Sequence, residues 1–333
     1  MKSFDLTQKS TVLILIGILF FYICFTFNEL FVAECSGLGD CFDFDRRMAR
    51  LAVWDINWLH DDFRHSLHFG LLKFSEQLFG NAKVLVLVSS IILLLLTYLL
   101  SFNLTGKRIA GITALLVVLS SSIFRNYDTS VTYPSFWATI LIFSFYLVTI
   151  RERLSLTTPF AYLTTIPAKS LTIFYFPALI GFILLSDSQT KKTKVKILVT
   201  FLFLFIAVIG LGFYYGRITL SIFTEFRLMD FVGGFVSWMW KGFAGDQITL
   251  LLLFVSGFTV YSNRKVIRNS KPVLIVLLAM VLTSPVLIGL TTYDVWPYRE
   301  LPLVVFVGVL TGMLVGFVDK INWKAFSLAK RRK

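Results

Sequence analysis

The sequence predicts an all-α protein, a polytopic transmembrane helical bundle of about ten membrane segments, two of them short or broken, with interfacial helices on the outer face. Three observations predict it. Hydrophobic residues make up 56% of the 333 positions, and 35 of them are Phe, well above the content of an ordinary soluble domain. Several apolar runs approach the roughly 20 residues a helix needs to cross a bilayer core. The basic residues, which leave a net charge of +13, stand in short clusters between those runs, as they do where positive charge orients a membrane protein. That placement argues against nucleic-acid binding. A β-barrel would show alternating segments of about ten residues, and none are present.

The first segment, 11–33, follows MKSFDLTQKS and ends FVAEC. It is longer than the apolar region of a cleaved signal peptide and lacks a small-residue cleavage site, so an uncleaved first span is expected. The longest polar stretch follows it. That stretch carries all three histidines, His60, His65 and His68, and eight of the 19 acids. Further segments fall near 84–104, 109–124, 135–150, 157–167, 171–186, 197–214, 248–262, 272–291 and 301–318. The run 157–185 is too long for one ordinary span and is interrupted by Pro167, Lys169 and Pro177. Proline in mid-helix removes a hydrogen bond and kinks the helix, so two short or broken helices are expected there. Such backbone is tolerated at membrane depth only where it lines a cavity or is buried in protein.

The outer loops are then 34–83, 125–134, 215–247 and 292–300, with a short link at 168–170. No repeat or linker divides the chain, so residues 1–333 read as a single integral membrane domain. With both termini cytoplasmic, the inner segments hold 20 of the 32 Lys and Arg but only four of the 19 acids, as the positive-inside rule requires. The protein is thus expected to be an integral, multi-pass membrane protein, in the plasma membrane if the chain is prokaryotic. Merging 157–167 with 171–186 would put the lysines of 187–196 outside, which also favours the split.

Two outer stretches have interfacial character. Residues 63–79 place Phe63, Leu67, Leu71, Phe74 and Leu78 on one helical stripe, with His65, His68, Glu76 and Gln77 off it. Residues 218–243 are rich in Phe and Trp, including Trp238 and Trp240, which suit the headgroup level. The last segment carries Gly308, Gly312 and Gly316 at four-residue spacing. This spacing lets helices approach closely, and packing within the bundle is expected rather than dimerisation. Cys35 and Cys41 flank SGLGD in the first outer loop. A disulfide and two free thiols both fit.

No soluble-enzyme motif is present, and the cysteines and histidines have no structural zinc spacing. What remains is acids and bases on the outer face. In Asp43-Phe44-Asp45, followed by Arg46 and Arg47, a carboxylate can serve as general base toward a hydroxyl or share a divalent metal. A solvated acidic loop explains the same residues. Nothing in the sequence requires a metal or other cofactor. His60-Asp61-Asp62 with His65 and His68 suits metal or headgroup contact. Single charges mark the boundaries of spans: Arg125 and Asp128 in FRNYDTSVTYP, Lys169 in TIPAKSL, and Arg299 with Glu300 in WPYRELP. Ionisable groups at such depth usually line a pathway or a site. Lysine can instead snorkel to the surface. Arg and Lys here suit a lipid phosphate.

The order of these features resembles the polytopic, type C fold glycosyltransferases that use polyprenyl-phosphate sugars, among them the dolichyl-phosphate-mannose mannosyltransferases and the aminoarabinose and arabinosyl transferases. A first span at 11–33 precedes an external loop with FDFDRRMARLAV and an interfacial helix, HFGLLKFSEQLFG. FRNYDTSVTYPSFWATILIFSFYL is similar to the family's second external loop. AYLTTIPAKSLTIFYFPAL resembles its broken helix, with Lys169 at the lysine, and YRELPLVVF its Arg-Tyr-x-x-Pro late span. The resemblance implies that Asp43 or Asp45 is the catalytic carboxylate. It also implies that Asp128, Arg125, Lys169, His68 and Arg299 bind substrate. The partners would be a polyprenyl-phosphate sugar donor, a glycan, lipid or protein acceptor, and membrane lipid, with no nucleic acid. The family's Asp-Glu pair is Asp-Phe-Asp here, and its His-Pro-Pro is His68-Phe69-Gly70. A member without the large soluble C-terminal domain of some relatives is expected.

The function these residues imply is transfer of a sugar from a polyprenyl-phosphate donor to an acceptor on the outer face. A glycolipid transporter or flippase and a non-catalytic subunit of a glycosylation complex share the same features. The charge layout makes its own prediction. Reporter fusions at residues 190 and 266 should report the cytoplasm, and those at 50 and 235 the outside. A residue-190 fusion that reports the outside would invalidate the split of 157–186.

Overall fold

The computed structural model describes residues 5–32, 66–132, 135–150, 152–214, 226–290 and 296–321. Regular structure among them is entirely helical. The proposed pairing of Cys35 with Cys41 lies outside the described residues, as do Asp43 and Asp45.

Helix α1 (Gln8–Thr26) begins where the Thr7 side chain accepts from the Ser10 amide, the usual role of a hydroxyl at an N-cap. It continues through a 3-10 turn, Phe27–Phe31, and leaves Leu13, Phe20, Phe21 and Phe25 facing out of the protein. Helix α2 (Ser66–Phe79) stops at Gly80, and α3 (Lys83–Thr105) at Gly106. Both glycines have positive φ, a conformation that costs glycine least. Asp5 accepts from the Arg108 and Ile109 amides at 2.9 and 3.2 Å, capping α4 (Arg108–Ser120) from the far end of the chain. The expected segment 109–124 is not one helix. The backbone turns extended at Ser121, and a separate short helix, α5 (Ser122–Tyr127), follows.

Helix α6 (Phe136–Thr149) ends where Gln189 Nε2 donates to the Val148 carbonyl at 2.8 Å. Next come α7 (Thr158–Leu163), α8 (Phe176–Leu185) and α9 (Lys191–Tyr214). After them lie α10 (Leu228–Ser237) with a π-helical turn, Trp238–Gly242, then α11 (Gln247–Ser262), α12 (Ser270–Leu290) and α13 (Leu301–Gly316). Each expected apolar segment contains helix. Among the described residues, four helical stretches are long and apolar enough to cross a membrane: Gln8–Phe31, Lys83–Thr105, Ser270–Leu290 and Pro297–Gly316. Arg108–Ser120, Phe136–Thr149, Leu171–Leu185 and Gln247–Ser262 are apolar but shorter. At a rise of about 1.5 Å per residue they fall short of a hydrocarbon core of about 30 Å.

The core is organised on α13, whose side chains are buried along almost its whole length. Its glycine stripe packs inside the bundle, as expected. A Cβ at Gly308 would sit 2.6 Å from the Ala114 carbonyl oxygen, and one at Gly312 would strike the Ala110 carbonyl oxygen. Both carbonyls belong to α4, so the two backbones are in direct contact. On the opposite flank Phe306 meets Phe145 of α6 and Phe182 of α8, with ring centroids 4.9 and 6.4 Å apart.

The two stretches expected to be interfacial each divide between exposed and buried apolar side chains. On α2, Phe74 and Leu78 of the apolar stripe are exposed, but His68, expected off the stripe, is buried with Phe69 and Leu72. Trp240 is exposed, whereas Trp238 is core rather than a headgroup anchor. The reason is that α10 packs on α12, with Gly234 close against Pro285, and this turns Trp238 inward.

The glycine seam predicts that Gly308→Ala and Gly312→Ala each destabilise the protein by about 1–3 kcal/mol, the usual cost of overpacking. Gly257→Ala is the control, because its nearest contact would be Leu310 at 3.9 Å. Thermal unfolding in detergent decides, and equal melting temperatures for all three variants would refute the seam.

Candidate functional site

The run 157–185 is broken, and the break falls at Lys169. Proline 167 lacks an amide hydrogen, and the residue before a proline is pushed away from helical geometry. Lys169 itself is extended (φ −158°, ψ 107°), and a 3-10 segment, Ser170–Tyr175, leads into α8 with Pro177 in its first turn. The freed polar groups are not left unpaired. The Lys169 amide donates to the Thr165 carbonyl (2.8 Å), and its carbonyl accepts from the Thr172 amide and hydroxyl. Thr165 donates to the Thr172 hydroxyl at 2.9 Å, and buried Tyr162 donates to the Thr172 carbonyl at 2.7 Å. The Pro167 carbonyl takes the Leu67 amide of α2 at 3.0 Å. Two threonines, a tyrosine and a neighbouring helix thus satisfy the irregular backbone where it packs into the protein.

The second part of the site is the 3-10 turn Pro297–Glu300, from which α13 starts. It brings Arg299 beside Lys169. The Lys169 Nζ lies 4.7 Å from the centroid of the Tyr298 ring, and the Arg299 guanidinium carbon lies 5.7 Å from it. Arg299 Nε also donates to the Tyr298 hydroxyl at 3.4 Å. Both cations are thus attracted to the same tyrosine, through its ring face and, for Arg299, also through its hydroxyl oxygen. The Arg299 carbonyl accepts from Tyr175 at 2.7 Å, and Tyr175 packs on Trp137. Glu300 is 2% exposed. Its Oε2 accepts from Trp238 Nε1 at 2.9 Å and its Oε1 from Ser284 at 2.6 Å.

Lys169, Tyr175, Ser284, Tyr298 and Arg299, with Trp137, Leu171 and Leu287, surround a small cavity. Its free space is about 10 Å³, room for one water. A phosphate is larger than this space and would enter only if lining side chains rearrange. Chemically the cavity offers two positive charges and a phenol, a set suited to an anion rather than to a metal. Among the described residues no group of three metal-ligating side chains converges.

Asp128 lies one residue beyond α5 and is buried. Its Oδ2 accepts from the Tyr22 hydroxyl of α1 at 2.8 Å, while Oδ1 has no hydrogen-bond partner. Its backbone carbonyl accepts from Ser90 of α3 at 2.7 Å. Burial pushes its carboxyl up to about 7, against the Tyr22 hydrogen bond and with help from the charge on Glu29. Glu29 accepts in turn from Thr129 at 3.1 Å.

The structure brings Lys169 and Arg299 together. Asp128 is tied to α1 instead and reaches the pair only through its neighbour, because Tyr127 packs edge-on against Tyr298 with centroids 5.9 Å apart. Arg125 is exposed on α5, and His68 is buried on α2, the helix whose Leu67 amide serves the break. Tyr298, Tyr175, Trp238 and Tyr22 were not among the sequence candidates. Only Tyr298 carried a signal, as the neighbour of Arg299 in YRELP.

No protein-family model matches the chain, and no curated protein does. Among solved structures, it is similar to the crystal structure of ArnT from Cupriavidus metallidurans bound to undecaprenyl phosphate, with a TM-score of 0.60 and 14% sequence identity. The match covers 97% of this chain and 62% of that one, so this chain spans about three-fifths of the length of that protein. At this identity the likeness is one of fold.

The raised carboxyl of Asp128 has a sign. The folded protein holds that proton more tightly than the unfolded chain, so stability falls as pH rises from about 4 towards about 7. Asp128→Asn keeps an acceptor for Tyr22 and removes the titration. Its melting temperature should therefore fall less than the wild type's between pH 5 and pH 8. Parallel curves would show that Asp128 is not the group responsible.

Proposed function

We propose that the chain is a membrane glycosyltransferase that takes a sugar from a polyprenyl-phosphate donor and gives it to an acceptor on the outer face. The observation that carries this reading is the convergence of Lys169 and Arg299 on Tyr298 at a broken helix, in a chain whose fold follows ArnT over 97% of its length. That ArnT was solved with undecaprenyl phosphate bound, and the cation pair of this chain has the charge to receive the same kind of headgroup. The lipid tail would lie against the bundle, where apolar side chains already face outward.

In the proposed reaction the bond between the sugar's anomeric carbon and the phosphate oxygen breaks. The acceptor oxygen bonds to that carbon, and its proton passes to a carboxylate. The lipid phosphate leaves with the bonding pair, and Lys169 and Arg299 stabilise the charge that develops on it. Asp43 or Asp45 is proposed as the carboxylate, on the resemblance of FDFDRR to the family's first external loop. Asp128 is proposed to hold the second external loop to the first span through Tyr22, with Arg125 contacting substrate from the rim.

General base catalysis contributes roughly 10²–10⁴ in rate. Asp43→Asn or Asp45→Asn should therefore lower sugar transfer in membranes supplied with a polyprenyl-phosphate sugar by about that factor, with expression unchanged. Lys169→Ala should instead raise the KM for the donor. Asp61→Asn and Asp62→Asn are controls and should matter less. Full activity in both Asp43→Asn and Asp45→Asn, with loss in a control, would mean that the base lies elsewhere. No transfer by the wild type, with lipid binding intact, would point to a transporter or a non-catalytic subunit.

A further inference from the structure

We infer that Glu300 is a charge-balancing residue of the phosphate site, one that stops Lys169 and Arg299 from holding the spent lipid phosphate more tightly than the sugar donor. The inference rests on the phosphate reading above and concerns which of two anions the site prefers. A sugar-phosphate lipid is a phosphodiester with one negative charge. Once the sugar has left with the acceptor oxygen, the lipid phosphate is a monoester. Its second ionisation lies at about pH 6, so it carries close to two charges at pH 8. A pocket of two bare cations would favour that product, and turnover would wait on its release.

Glu300 is placed to prevent this. It follows Arg299 directly, on the turn that opens α13, and is almost wholly buried. Both of its oxygens accept hydrogen bonds. One comes from the indole of Trp238, which can only donate, and the other from the Ser284 hydroxyl, whose residue also lines the cavity. At pH 8, above the value of about 7 to which burial pushes this carboxyl, it is mostly ionised and accepts on both oxygens. Lys169, Arg299 and ionised Glu300 together give the cavity a net charge of one positive unit, which matches the donor. The position is also tightly built. Trp238 closes one side from the π-helical turn, Ser284 closes the other from α12, and Pro285 follows Ser284. Glu300 is thus held off the ligand position and acts on the phosphate through its field.

Glutamine tests the charge without the architecture. In Glu300→Gln the amide oxygen can accept from Trp238, and the amide nitrogen can donate to Ser284, whose hydroxyl is able to accept. The experiment measures binding of a short-chain polyprenyl phosphate and of its methyl diester to detergent-solubilised full-length protein at pH 8. Wild type should bind the two within a few-fold of each other, and Lys169→Ala should weaken both. Glu300→Gln should bind the monoester roughly tenfold more tightly, with a smaller gain for the diester, as expected for a unit charge removed nearby at intermediate dielectric. If Glu300→Gln leaves both affinities at the wild-type value, the inference is wrong and the phosphate reading stands. If wild type binds neither probe, the phosphate reading itself fails. If the variant does not elute as a helical, monodisperse protein, the wild-type ratio decides alone. A monoester preference of tenfold or more would then overturn the inference, and near-equal binding would support it.

Discussion

The direct contact between the backbones of α13 and α4 is the constraint on which the rest of the structure hangs. It exists because Gly308 and Gly312 present no side chain to the carbonyls of Ala114 and Ala110. In a bilayer no hydrophobic gain accrues from pulling one apolar helix onto another, so association relies on close packing and polar contacts. Ser101 of α3 adds such a contact by donating to the Ala110 carbonyl at 3.1 Å. Once α13 is seated, the position of its N-terminus follows, and the turn Pro297–Glu300 is delivered to one place at one end of the bundle. Larger residues in the stripe would push α13 outward and carry Tyr298 and Arg299 away from Lys169.

The cation pair depends equally on a helix that is not continuous. A regular helix through 157–185 would satisfy its own backbone, and its lysine would sit on a helical face set by the 3.6-residue period. Breaking it at Pro167 frees Lys169 from that periodicity. The cost is several backbone groups that need partners where water is scarce. Thr165, Thr172 and Tyr162 supply them from within the segment, and Leu67 supplies one from α2. The polar residues of this stretch therefore serve the fold first. They hold an extended residue open so that one lysine side chain can meet a tyrosine ring from another part of the chain.

The two buried acids near the site are handled differently, and the difference bears on mechanism. Glu300 has donors on both oxygens that fix its position, and burial pushes its carboxyl up to about 7 against those two hydrogen bonds. Asp128 has one oxygen bonded to Tyr22 and the other without a partner, and burial raises its proton affinity into the neutral range. A carboxylate held in that way ties α1 to the segment after α5, and the strength of the tie varies with pH. Because Tyr127 touches Tyr298, that joint lies one ring contact from the cation pair.

The sequence by itself determined the class of this protein and the identity of the segments. Length and hydropathy of the runs decide membrane helices because the hydrocarbon core excludes unpaired backbone. The break near Lys169 was legible because Pro167 and Pro177 act locally, through a missing amide hydrogen and a fixed φ. The Gly308, Gly312 and Gly316 stripe was legible because its spacing puts the three on one face of a helix. What only the tertiary structure decided are the meetings between distant residues. Lys169 with Tyr298, Trp238 and Ser284 with Glu300, and Tyr22 with Asp128 are each contacts between segments far apart or independently folded. Composition made Trp238 look like an interfacial anchor, yet the packing of Gly234 on Pro285 turned it into the core. The physical reason is general. Propensity, capping and periodicity act over a few residues and can be read along the chain. Which side chains share a cavity depends on how whole helices seat against one another, and no local pattern encodes that.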